Sequence, residues 1–110
     1  MTFEQFLKRE VFELGRRLTA REKAFLQAAE AAGFEMEFGN DPSRGPHFFL
    51  ETIEEDPMSY PCVARVRPET LEMMGSDNEE IRATMRRLIA EVKATVQESD
   101  STSEASERDT

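Results

Sequence analysis

The chain has 110 residues, a formal net charge of −9 and one cysteine, which excludes a disulfide framework within one chain and disfavours nonspecific binding to nucleic acid or anionic membrane. A chain of this length builds one core, burying roughly two-thirds of the surface its unfolded form exposes. Glu4, Lys8, Arg9, Glu10 and Glu13 interrupt the apolar run that a signal peptide or membrane span would need, so the expected location is the cytoplasm, where an unpaired Cys62 is ordinary.

Apolar residues at 3, 6, 7, 11, 14 and 18 recur at helical spacing and predict an amphipathic helix over about 2–17. Thr19-Ala-Arg-Glu22 has the form of a capping box, which starts a second, alanine-rich helix over about 20–32 that Gly33 stops. One long bent helix is the alternative. The segment Leu18–Gly33 resembles the opening Leu-Thr-x-Arg-Glu helix of LuxR-type helix-turn-helix domains, a family in which a recognition helix follows directly. Here the chain continues with Phe-Glu-Met-Glu-Phe, which alternates as a strand and is acidic where phosphate contacts are required, so the chain is not assigned to that family.

Three segments, 34–38, 47–53 and 62–67, read as strands. The intervening 39–46 and 54–61 are dense in turn formers and predict loops of about eight residues, which suit an antiparallel three-stranded meander. Pro68–Met74 predicts a short helical turn ended by Gly75. Ser76 or Asp77 then caps a long C-terminal helix whose stripe is Ile81, Met85, Leu88, Ile89, Val92 and Val96. Residues 98–110 are Ser/Thr-rich and acidic, with little to bury, and predict a disordered tail. The fold class is therefore α+β: a single domain over 1–97 with two N-terminal helices, the meander and one long helix.

The charge is unevenly divided. Residues 34–75 hold nine acidic and three basic side chains and residues 98–110 hold five and one, whereas 1–33 and 76–97 are close to neutral. An acidic middle favours encounter with basic partners.

Few residue combinations offer chemistry. His47 and Cys62 are the only residues of their types, so a zinc site within one chain lacks its usual ligands, and Glu54-Glu-Asp56 lacks the pattern of a calcium loop. No metal or cofactor is predicted. A small Cys-dependent enzyme using Cys62 and His47 is an alternative function, weakened by the core-facing phase of Cys62 with Ala64 and Val66. Arg16, Arg17, Arg21 and Lys23, with Arg82, Arg86 and Arg87, give a second alternative as a weak nucleic-acid binder, but pairing with neighbouring glutamates is the favoured reading.

The interaction surface expected from the sequence is the outer face of the sheet. With Phe48, Leu50 and Thr52 facing the core, strand alternation turns Phe49, Glu51 and Ile53 outward. Together with Val63, Phe49 and Ile53 make an apolar spot rimmed by Glu35, Glu37, Glu51, Arg65 and Arg67, next to the acidic loop of Glu54, Glu55 and Asp56. A helix of the chain covering this face is the competing arrangement. The expected function is a small non-catalytic interaction module, an adaptor, inhibitor or regulatory subunit, that meets a basic protein or a second copy of itself through the sheet face or edge.

Overall fold

In the computed structural model, which describes residues 1–96, the alternating Phe34–Phe38 segment lies in strand β1 (Phe34–Asp41), with Phe34 and Met36 buried and Glu35 and Glu37 exposed. Strand β2 (Gly45–Thr52) runs antiparallel to it, with Met36 opposite Leu50 and Phe38 opposite Phe48. Strand β3 (Val63–Val66) adds Ala64 opposite Leu50. A fourth strand, β4 (Met73–Ser76), extends the meander to the order β1-β2-β3-β4. The acidic segment 98–110 lies outside the described residues.

Two connections differ from the sequence expectation. The first is a three-residue hairpin loop, because Asp41 pairs with Gly45 across Pro42-Ser-Arg44. Asp41 makes the turn by accepting hydrogen bonds from the Ser43 and Arg44 amides, and Gly45 closes it at φ 82°, the left-handed position such hairpins need. In the second, Pro68–Leu71 turns sharply with left-handed backbone at Glu69 and Leu71, and β4 then replaces the expected helical turn. Burial of Leu71 and the 2.8 Å Arg67 N–H to Glu72 C=O bond return the chain antiparallel to β3.

The N-terminal region forms three helices, not two: α1 (Phe3–Leu7), α2 (Glu10–Leu14) and α3 (Ala20–Ala31). The break at Lys8–Arg9 lets Phe6 stack on Phe38, with ring centroids 3.7 Å apart, while Glu10 turns inward to accept the Leu18 N–H at 3.0 Å. An unbroken helix would turn Val11 to the core; Val11 is instead exposed. The Thr19–Glu22 capping box forms as predicted, and Gly33 follows the end of α3 at φ 97°. The last helix, α4 (Glu79–Thr95), is capped by Asn78, whose side chain accepts the Ile81 N–H, rather than by Ser76 or Asp77.

Helices α1 and α3 pack on β1, and α4 packs on β3 and β4. They cover the face carrying Phe34, Met36, Phe48, Leu50, Ala64 and Val66, which joins Phe25, Leu26 and Met85 in one core. Burying each of the larger apolar side chains contributes about 1.5–3 kcal/mol. Among the described residues no helix covers the opposite face of the sheet, and Glu35, Glu37 and Arg65 are exposed on it.

Candidate functional site on the open sheet face

Pairing brings the predicted outer-face residues together in two cross-strand rows. Glu35 lies opposite Glu51 and Glu51 opposite Val63; Glu37 lies opposite Phe49 and Phe49 opposite Arg65. Three carboxylates thus adjoin the half-buried Phe49 and Val63. Ile53 continues the face beyond the end of β2 and is exposed, as are Met58 and Tyr60 in the following loop. The apolar centre is narrower than the sequence implies, because the Arg65 guanidinium lies over the Phe49 ring, 5.3 Å from its centroid.

The acidic loop is organised locally. Glu54 accepts the Thr52 hydroxyl at 2.7 Å, and Asp56 accepts the Met58 amide at 2.9 Å. Glu54, Glu55 and Asp56 are all exposed. Among the described residues no group of three or more His, Cys, Asp or Glu side chains is placed to hold a metal ion.

Toward the β1–β2 hairpin the face changes character. An open groove of about 380 Å3 is lined by Asp41, Arg44, His47, Phe49, Arg65 and Met74. His47 is 5% exposed, and among the described residues its buried Nδ1 lacks a well-formed hydrogen bond, with only the Gly45 backbone near enough to act on the ring. Burial pushes the imidazole below its ordinary range, and the nearby Arg65 and Arg44 charges act the same way. Gly39, directly opposite His47, makes this seat possible: a side chain there would collide with the imidazole ring. Arg44 is held by Asp41 at 3.7 Å and donates to the Met74 carbonyl at 3.3 Å. This basic corner is absent from the sequence reading, because the tight Asp41–Gly45 turn that brings Arg44 beside the sheet was expected to be a long loop.

Cys62 and His47 lie apart. The Cys62 carbonyl accepts the Thr52 amide and its Sγ accepts from Asn78 Nδ2, whereas His47 lies five residues back along β2. At strand rise that is about 17 Å. Most of the arginines suggested for nucleic acid have carboxylate or carbonyl partners: Arg16 with Glu22, Arg17 with Glu10, Arg82 with Glu79, Arg87 with Glu91, and Arg21 with the Val96 carbonyl. No helix among the described residues is long and apolar enough to cross a membrane.

The sheet edges differ. The long β1 edge is partly capped by the chain itself, since the Met1 carbonyl accepts the Met36 N–H at 3.1 Å. The β4 edge is short and flanks α4. No protein-family model, curated protein or solved structure matches this chain.

Proposed function

We propose that the protein is a non-catalytic interaction module that receives a basic protein segment across the open face of its sheet. The observation that carries this reading is the Glu35, Glu37 and Glu51 cluster beside Phe49, Val63 and Ile53 on a face that α1, α3 and α4 leave uncovered. Half-buried apolar atoms supply contact area and the surrounding carboxylates select charge, the usual division of labour in an interface. Glu54, Glu55 and Asp56 extend the acidic surface from the end of β2. In its most specific form the module is an inhibitor that offers these carboxylates to a nucleic-acid-binding protein in place of phosphates.

The test is affinity capture by immobilised full-length protein from nuclease-treated lysate, followed by binding of the purified partner at several salt concentrations. A basic partner whose affinity falls steeply with salt, and falls again with Glu35→Lys, Glu37→Lys and Glu51→Lys combined, supports the reading. A partner indifferent to both salt and charge reversal overturns it.

A further inference from the structure

Strand β4 ends the sheet, and a groove of about 510 Å3 lies between α4 and the segment Leu71–Met73 that leads into the strand. Met73 is half-buried at the groove, with the buried Leu71 and Ile89 beneath, and α4 supplies Arg86, Ala90 and Lys93 along it. Positions 86, 89, 90 and 93 recur at three, four and seven residues, so they form one stripe of the helix. Ala90 is exposed and carries only a methyl group, leaving the space between the two cations open.

Arg67, Arg82 and Arg87 each have a glutamate partner, and the groove's own Glu72 is the one engaged by Arg67, at 3.8 Å. Arg86 and Lys93 have no ion-pair partner among the described residues. Seven residues of helix separate them by about 10 Å.

We propose that this groove binds an extended peptide with acidic and apolar side chains, which joins β4 as a fifth strand. Edge strands present unpaired amides and carbonyls, of which the Met74 carbonyl of β4 is already taken by Arg44, and a helix beside such an edge gives alternate side chains of the added strand a surface to read. Carboxylates two or four residues apart on one face of a strand lie about 7 or 13 Å apart, which brackets the separation of the two cations. The apolar floor accepts the side chains between the contact points. This site is distinct from the acidic sheet face and selects the opposite charge.

The test uses full-length protein and a fluorescein-labelled nine-residue peptide in which Glu alternates with Val. Fluorescence anisotropy measures binding, and amide hydrogen exchange follows Met73–Ser76. Two alternately N-methylated peptides, one for each set of backbone amides, remove the donors on one side of the strand at a time. The expected result is saturable binding and slowed exchange in β4. One N-methylated peptide and the exposed-site double variant Arg86→Glu/Lys93→Glu should each bind at least about tenfold more weakly. The proposal is overturned if both N-methylated peptides bind as well as the parent, if the perturbed amides are those around Phe49, or if binding fails to saturate by about 1 mM. Concentration-dependent protection of β4 without peptide also overturns it, because the edge then belongs to a second copy of the chain.

Discussion

The guanidinium of Arg16 holds both oxygens of the fully buried Glu22 carboxylate, Nη1 to Oε1 and Nη2 to Oε2 at 2.8 Å each. The same carboxylate accepts the Thr19 amide at 2.8 Å and the Glu69 amide at 2.6 Å. One side chain thereby caps α3, anchors the 15–18 segment and fixes the turn before β4. Glu22→Ala should destabilise the fold by about 2–4 kcal/mol, since those donors lose their acceptor. Arg16→Met should cost at least as much, although Arg16 is the more exposed partner, because it leaves a buried carboxylate without its counter-charge. Urea midpoints measure both, and an Arg16→Met loss below about 1 kcal/mol would show that the backbone amides alone suffice.

Acid should weaken the fold in two separate windows. Burial holds His47 below its ordinary value of 6.5, so as pH falls through that value the unfolded chain takes up a proton that the folded chain refuses, and stability drops. His47 is the only histidine, so this loss belongs to one residue and should vanish in His47→Gln. Glu22 acts at lower pH. Burial alone would raise its carboxyl, but the Arg16 guanidinium and the Thr19 and Glu69 amides outweigh that and hold it below the ordinary 4.5. Its contribution is present above 4.5 and lost as pH falls through the depressed folded value. Urea titrations from neutral pH to pH 3 separate the windows; a wild-type curve flat between about pH 7 and 5 would contradict the burial of His47.

Gly39→Ala should destabilise by about 1–3 kcal/mol, because the added methyl meets the His47 imidazole and forces the ring out of its buried seat. The cost is specific to that contact. In a His47→Ala background the same substitution should be neutral or slightly stabilising, since alanine restricts the unfolded chain more than glycine does. A thermodynamic cycle over the four proteins measures the coupling, and additive effects would mean that Gly39 serves another purpose.

The parts of the fold legible in the sequence are those with strong periodicity. Phe34/Met36 and Phe48/Leu50 mark the buried faces of β1 and β2, and the Ile81–Val92 stripe marks α4, because buried faces repeat at the period of their element. The hairpin at Asp41–Gly45 was hidden by its composition: Pro42 and Gly45 signal a turn but not its length, and only the left-handed Gly45 makes it three residues. Strand β4 was hidden for a different reason. Four residues are too few to show alternation, and the turn before it bends at Glu69 and Leu71, residue types that seldom signal left-handed backbone. At the open face, alternation alone puts Glu35, Glu37, Phe49, Glu51 and Val63 on one side of the sheet, and the pairing sets them in adjacent rows. The stacking of Arg65 on Phe49 and the burial of His47 over Gly39 required the third dimension.

Glu35 and Glu51 lie directly opposite each other, and like charges at such a cross-strand position destabilise a sheet. The pair therefore opposes folding while supplying the acidic surface on which partner binding is proposed to depend. Glu51→Lys replaces this repulsion with an attractive pair and should stabilise the protein by about 0.2–1 kcal/mol. The gain should shrink as salt screens both interactions. If the open face receives a basic segment, the same substitution should weaken partner binding, so stability and affinity should move in opposite directions for this variant. Thermal unfolding and partner titration on the same preparation measure the two effects. A Glu51→Lys protein that is more stable and binds as tightly as wild type would retain the repulsion argument and remove Glu51 from the interface. A variant with unchanged stability would show that the two carboxylates are screened from each other despite their register.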